Sequence, residues 1–439
     1  MLYPDTLFSG RPKLYKRQLQ TAGSARRCLS AVLLATAMLF STQAAALSLQ
    51  QAEAIALQAD PLVASEMAES RAYTQASTAD GTLPDPQLRL GMFNLPLDTF
   101  STTQEPTTQL VVGVQQQFPR GDVLDLKQQQ SQWLAKAALA KAENTRYEIR
   151  RDLRETFLNL YYEIEAGRII QETRDLFAQL VKITEAQYAA GRVNQQDVIR
   201  ADLELTRLDD RRSKIQGQED EYRATLSQWI GEAAWGEIDN AFPTLPPVPD
   251  TTDINEVLTR HPLISAQTAQ VESSRKMSDM ARQDYKPGVN AFVEYRKRFG
   301  ENQDGSDRAD MMAAMVTVDI PLFTENRQDK NVAAAEEKTA SARYARDDKL
   351  RLLNRMLEKD RAIYKRLGER ELIYKNRLLD TARSNADASL NAYQSGVTEF
   401  TTVMRARITE LDVRLDDLRV RIDRARATAR LLYITGEPK

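Results

Sequence analysis

Two stretches of the chain, about half its length apart, repeat one pattern. Residues 188–201 read YAAGRVNQQDVIRA, and residues 393–406 read YQSGVTEFTTVMRA. Both begin with Tyr, carry Gly three residues later and end in Arg-Ala, and the two glycines, Gly191 and Gly396, are 205 residues apart (396 − 191). Long helical patterns lie on both sides of each Gly. Because a helix that reverses over a few residues usually needs a positive φ, the glycines predict two helical hairpin tips.

The similarity extends over nearly the whole chain after its N-terminal region. Asp60-Pro61-Leu62 recurs as His261-Pro262-Leu263, where His261 is expected to have a turn role, and Ile230-Gly231-Glu232 recurs as Thr435-Gly436-Glu437. Each copy has an opening helix, two short strands, a very long helix, the Gly turn and a returning helix. The predicted helices are Ser48–Ala79, Asp122–Ala189, Gln195–Ile230, Asp253–Asp284, Asn326–Gln394 and Glu399–Leu432.

The N-terminus has the features of a secretory signal. Arg26 and Arg27 precede the apolar run Leu29–Phe40, and Ala44-Ala45-Ala46 is a small-residue cleavage site. The domain prediction follows from this segment and from the duplication. It comprises a signal peptide at 1–46, a first repeat at 47–236, a Pro-rich linker at 237–252 and a second repeat at 253–437.

The composition excludes several classes of protein. A formal net charge of −2 over 439 residues offers no basic face for nucleic acid. One His and one Cys leave no zinc cluster or disulfide framework. With no nucleophile elbow or phosphate loop either, we expect no enzyme, no catalytic residue and no cofactor. Met311, Met312 and Met315 follow one another on one strand, where apolar filling is favoured over a metal path.

The four predicted strands alternate between polar and apolar residues, so each has one wet and one apolar face. Their length of about 9–11 residues is that of a membrane-spanning β-strand. Four strands cannot close a barrel, so several chains would have to share one, and the geometry favours three. The alternative is a soluble sandwich covered by its own helices. The residues predicted to face a barrel lumen are Gln115, Gln117, Asn290, Glu294 and Arg296, with Phe292 an apolar exception among them.

The last predicted helix explains how such long helices are stabilised. Its apolar residues recur in steps of three and four, which is the heptad seam of a coiled coil. Acid-first pairs such as Glu410–Arg414 support its outer face. The predicted fold class is therefore mainly α with a small β part.

Together, these features resemble the TolC family of outer-membrane efflux proteins. In this resemblance the two copies of the pattern are two outer-membrane-efflux repeats. The resemblance rests on LSLQQAEAIALQADPLVAS (47–65), FPRG (118–121), IPLF (320–323) and the two tip stretches. It implies a homotrimer in the outer membrane of a Gram-negative bacterium, with a 12-stranded barrel in lipid and an α-helical barrel in the periplasm. An adaptor protein and an inner-membrane pump, expected to be of the RND type, would complete a passive exit duct. Residues 81–100 and 109–122 also resemble the heavy-metal and cation-efflux branch.

The resemblance also assigns roles near the tips. Adaptor docking is expected at Gly191, Arg192, Val193, Gly396, Val397 and Thr398. A periplasmic gate region is expected at Asp197, Arg200, Thr402 and Arg405. In relatives acidic residues can narrow the pore after the second tip, but this chain has Thr402 and Arg405 there, so no acidic ring is expected. We hypothesise that Asp197 pairs across neighbouring helices to hold the tip closed. The alternative is a pair with Arg200 on its own helix.

Two other functions remain open at this level. A type I protein-secretion system also uses an exit duct of this family, and membership alone does not separate secretion from efflux. A periplasmic coiled-coil scaffold would place the strands in a soluble domain instead of a membrane.

Overall fold

The computed structural model describes residues 46–58, 60–249 and 253–437. The predicted signal peptide therefore lies outside the described residues except for Ala46, and so does the end of the predicted linker, residues 250–252. The elements below belong to one compact unit that begins at Leu47. The predicted fold class, mainly α with a small β part, is confirmed.

Each copy supplies helices and two strands in the predicted order. The first copy contains α1 (Leu49–Gln58), α2 (Pro61–Asp80), β1 (Gln87–Phe93), β2 (Gln109–Phe118), α3 (Val123–Ala189) and α4 (Gln195–Ile230). The second contains α5 (Ile254–Arg260), α6 (Pro262–Gln283), β3 (Gly288–Arg298), β4 (Met311–Asp319), α7 (Gln328–Ile373), α8 (Leu379–Gln394) and α9 (Phe400–Thr435). A π-helical turn, Tyr374–Leu378, joins α7 to α8, so that they continue as one long run.

The prediction of one continuous opening helix in each copy was wrong. The chain leaves helical geometry at Asp60 and at His261, whose ψ angles are 123° and 136°. Each precedes a proline, which disfavours the helical conformation of the residue before it and cannot donate a backbone hydrogen bond. Both residues then cap the next helix. The Asp60 carboxylate accepts the Leu62 N–H at 2.9 Å, and His261 Nδ1 accepts the Leu263 N–H at 3.2 Å.

The 67-residue helix α3 organises the α-helical part. Towards its N-terminus it packs against α2 and α6, and towards its C-terminus it packs against α4 and α9. Helix α9 also contacts α7 and α8. The apolar faces meet in two main cores. The first, in the middle of the molecule, includes Leu153, Phe157, Leu160, Leu226 and Ile230, and the second, nearer the tips, includes Ile170, Phe177, Leu208, Tyr393 and Phe400.

The four strands form one antiparallel sheet in the order β1-β2-β3-β4. The central ladder joins the two copies, because β2 of the first pairs with β3 of the second. Its register places Gly113 opposite Glu294 and Gln117 opposite Asn290. Strands β1 and β4 are the two edges of this sheet within the chain.

None of the helices in the described residues is both long enough and apolar enough to cross a membrane.

Candidate functional site: the sheet faces and the hairpin tips

The sheet register brings all five residues predicted for a lumen onto one face. Opposite residues of an antiparallel pair point to the same side, and Gln117 lies opposite Asn290, while Glu294 lies two residues from each of Phe292 and Arg296. Glu294 is buried and forms an ion pair with Arg296. This shared polar face is a structural finding, whereas a role in lining a lumen stays a prediction.

Phe292, the apolar exception on this face, fits because of a glycine on the neighbouring strand. A Cβ atom on Gly113 would lie 3.0 Å from the Phe292 ring and 2.9 Å from Glu294 Cβ. The absence of a side chain at Gly113 therefore makes room for the ring. The Arg89 guanidinium lies 5.1 Å from the ring centroid on the same face, a cation–π geometry. A polar group thus covers the aromatic side chain.

The opposite face of the sheet is apolar and exposed. Met312 is 78% exposed, and Leu88 and Val316 are each 65% exposed. Contiguous apolar surface of this kind marks an interaction surface for protein or lipid. Met311 and Met315 lie on the polar face and Met312 on this one, because their positions alternate along β4. The three methionines therefore do not form one cluster. Exposed members of the apolar face include Leu88, Leu90, Val112, Val114, Val293, Met312, Val316 and Val318.

The two tips have the same backbone hydrogen bonds at equivalent positions. Gly191 has φ 69° and Gly396 has φ 75°. The next residue donates its N–H back across the turn, from Arg192 to the Gln187 carbonyl at 2.9 Å and from Val397 to the Ala392 carbonyl at 2.8 Å. Each glycine also donates to the tyrosine three residues earlier. This is the glycine-capped Schellman geometry, so the predicted conformational reason for both glycines is confirmed.

The gate residues are placed by the start of the returning helices. Asp197 lies in the first turn of α4, and the equivalent Thr402 lies in the first turn of α9. Within the described part of the chain, Asp197 and Arg200 form no ion pair with each other or with another side chain. The alternative of a pair on one helix is therefore not seen, and the pairing with a neighbouring helix stays a hypothesis.

Arg405 lies on a basic groove that the sequence analysis missed. A groove of about 570 Å³ between α4 and α9 is lined by Arg405, Arg207 and Arg211. Arg207 pairs with Glu204 at 2.6 Å, and Arg211 pairs across the helices with Asp412 at 2.9 Å. The four-residue spacing of the two α4 arginines, on one helical face, is the signal that could have identified them.

His261 has a structural role. Its side chain is 3% exposed, and Nε2 lies 2.9 Å from the Tyr433 carbonyl oxygen. Burial lowers the pKa of His261, while burial raises the pKa of the adjacent Tyr433 to about 12. The predicted turn role is confirmed. In the described ranges, no group of three His, Cys, Asp or Glu side chains could hold a metal ion.

Residues 254–437 match the sequence model of the outer membrane efflux protein family. The match covers the second copy, which contains the second tip and both strands β3 and β4. No curated protein matches the sequence.

Solved channel structures share the fold of nearly the whole chain. The outer membrane protein VceC from Vibrio cholerae aligns with a TM-score of 0.74 and 16% identity, covering 89% of this chain and 96% of that chain. The outer membrane channel MtrE from Neisseria gonorrhoeae, solved in its open state, aligns at 0.75 and 14%, covering 89% of each. CusC, described in terms of transmembrane channel formation, aligns at 0.75 and 15%, covering 89% and 92%. At these identities the likeness establishes the fold, which is that of TolC-like channels.

Proposed function

We propose that this chain is the outer-membrane exit duct of a tripartite efflux pump and conducts its cargo passively. The exposed apolar face of a four-stranded sheet with two open edges carries the proposal. Supporting it are the outer membrane efflux match over residues 254–437 and the TolC-like fold. A soluble periplasmic scaffold would leave this apolar face in water, at a cost of roughly 25 cal/mol for each Å² of apolar surface.

The open edges lead to the proposed assembly. Lipid offers no hydrogen-bond partners to a free strand edge, so β1 of one chain pairs with β4 of the neighbouring chain. Three copies supply twelve strands and close a barrel wide enough for a channel. The apolar face then contacts outer-membrane lipid, and the face with Glu294 and Arg296 lines the lumen. The homotrimer continues as a barrel of helices across the periplasm of a Gram-negative bacterium.

At the far end, the six tips of the trimer meet a periplasmic adaptor protein. In this proposal the residues of each tip that follow the Gly contribute exposed side chains, such as Val397, which is 80% exposed. An inner-membrane pump of the RND type supplies the energy. The duct itself performs no catalysis.

The cargo remains a separate proposal. We retain the prediction that the chain belongs to the heavy-metal and cation-efflux branch, with metal cations or drugs as cargo, on the strength of its sequence resemblance. The solved structures do not bear on the cargo, because at 14–16% identity they establish the fold alone.

Site-directed cross-linking tests the assembly. The one native Cys is Cys28, inside the predicted signal peptide, so thiols can be introduced without a competing Cys in the processed chain. Leu90→Cys on β1 and Val316→Cys on β4 should together give a covalent trimer in outer-membrane extracts. The cross-linker must be shorter than three strand spacings, roughly 14 Å, so that it cannot join β1 and β4 of one chain.

The two single-cysteine variants are the matched controls and should give only monomer on a denaturing gel. The purified wild-type protein should also conduct ions in a planar lipid bilayer. A soluble periplasmic monomer that neither cross-links nor conducts would rule out the duct.

A further inference from the structure

A groove away from the sheet and the tips has the composition of a small-molecule site. Helices α2, α3 and α6 enclose an open groove of about 610 Å³. This volume lies within the range of ligand sites, roughly 300–1,000 Å³. Leu62, Leu134 and Leu263, one from each helix, provide apolar wall. All three helices belong to one chain, so the groove does not depend on a second chain for its walls.

The charge of the groove is negative. Glu66, Glu69 and Glu148 line it together with Lys141, which amounts to three carboxylates and one ammonium group, or a formal charge of −2. Lys141 Nζ lies 3.3 Å from one Glu66 oxygen, and Glu148 accepts a hydrogen bond from Asn144 at 3.0 Å. Glu69 is exposed and pairs with no cation in the described ranges. The lining therefore has an excess of negative charge over a partly apolar surface.

Glu66 is the observation that points to a ligand. Its side chain is only 4% exposed, yet its second carboxylate oxygen, Oε2, is buried and has no hydrogen-bond partner. A buried carboxylate oxygen without a partner is costly, because it has lost its water without gaining another donor or cation. A positive charge held in the groove would offset part of this cost through space, although Oε2 itself is closed to direct contact.

The surroundings decide what kind of cation fits. In the part of the chain that the structure describes, no three acidic, His or Cys side chains are close enough to hold a metal ion. The groove instead offers leucine side chains and the aromatic ring of Tyr73, which favours a cation with an apolar body. From this geometry we infer that the groove binds an organic cation, with its charge beside Glu66 and its apolar part against the leucines.

Calorimetric titration of the full-length protein in detergent tests this inference, with protein-free micelles as the blank. The probe is tetraphenylphosphonium, and its matched control is tetraphenylborate, which has nearly the same shape and the opposite charge. We expect saturable binding of the cation and no saturable binding of the anion. Removal of one nearby charge in Glu66→Gln or in Glu69→Gln should weaken cation binding about tenfold.

Glu185→Gln is the control variant, because Glu185 is an exposed glutamate on the same helix α3 but far along it towards the tip. It should leave the binding constant unchanged. Glu69→Gln protects against a folding defect in Glu66→Gln, since Glu69 is exposed. Equal binding of both probes, or equal affinity in wild type and both groove variants, would overturn the inference, as would no binding of the cation. Binding is measured without conductance, so failure of the duct proposal would not produce these outcomes.

Discussion

The two hairpin tips share one backbone but differ in what surrounds their side chains. Tyr188 of the first tip is 46% exposed, whereas its counterpart Tyr393 in the second is 9% exposed. The Tyr393 hydroxyl donates to Gln187 of the other tip at 2.6 Å. Gln195 begins α4 in solvent, whereas Phe400 begins α9 at 2% exposure. Both tips thus have the backbone conformation that the turn requires, but only the second tip buries its aromatic side chains.

This difference shows that the second tip is held by its own chain. Phe400 and Tyr393 join a core with Ile170 and Phe177 of α3. The ring centroids of Tyr393 and Phe400 are 5.5 Å apart. The first tip leaves Tyr188 and the 59% exposed Ile199 available to another molecule. The tips should therefore respond unequally to loss of side chains and equally to loss of the glycines.

The largest effect is expected from the buried aromatic residue of the second tip. Phe400→Ala should lower the free energy of unfolding by about 3–5 kcal/mol, since it removes a fully buried ring and leaves a cavity. The equivalent Gln195→Ala in the first tip should change it by less than about 0.5 kcal/mol. Denaturant unfolding followed by circular dichroism measures both. Similar losses in the two variants would contradict the inequality of the tips.

A smaller effect on stability, equal at the two tips, is expected when either tip glycine is replaced. Gly191→Ala and Gly396→Ala each force an L-residue into a positive φ, which costs roughly 1–2 kcal/mol. No atom lies within 4 Å of a Cβ built at either position, so a clash should add nothing. The same unfolding measurement should give two values within experimental error of each other. A several-fold difference would mean that the tips are not equivalent in backbone.

The stability that His261 contributes at the start of α6 should depend on pH. Burial lowers the pKa of His261 below its ordinary value of 6.5, so the unfolded chain takes up a proton at a higher pH than the folded chain does. The neutral residue's contribution to stability is therefore complete above about pH 6.5 and is lost as the pH falls below it. His261→Asn keeps a capping side chain and should remove this part of the pH dependence of the unfolding midpoint. An unchanged profile would show that another group titrates.

The smallest effect on stability is expected at the proposed gate. Asp197→Ala removes an acid from the first turn of α4, which is worth roughly 0.3–1 kcal/mol. If Asp197 holds neighbouring helices together, the same variant should raise the resting conductance in planar bilayers. Thr402→Ala, at the equivalent position of the second tip, is the control and should not. Conductance that stays at its resting value in Asp197→Ala would end the latch hypothesis.

The parts of the structure that depend on local periodicity could be predicted from the sequence. The limits of α3 and α4 agree with the prediction within one residue, because long helical patterns lead up to Gly191 and Gly231, which follow the ends of the two helices. The breaks at Asp60 and His261 were missed although the following prolines indicate them, since apolar spacing continues through both. The sheet faces followed from alternation, but the fit of Phe292 needed the register, which sets Gly113 beside it.

Features that depend on non-local packing could not be predicted. The burial of Phe400 arises from contact with α3, far away in sequence. The groove with Glu66 brings together three helices from the two repeats of one chain, and nothing in the local pattern of any one of them indicates an unpaired carboxylate oxygen. Sequence periodicity thus reports which face a residue occupies, but not which residues meet there.

The central ladder between β2 and β3 has a consequence for the order of folding. Glu294 pairs with Ala313, 19 residues away (313 − 294), and with Gly113, 181 residues away (294 − 113). Closing the longer loop costs about 2 kcal/mol more in chain entropy. The two local strand pairs, β1–β2 and β3–β4, should therefore form early and independently of each other. They unite only after the long hairpins have brought their ends together, so a newly made chain carries two half-sheets before it carries one.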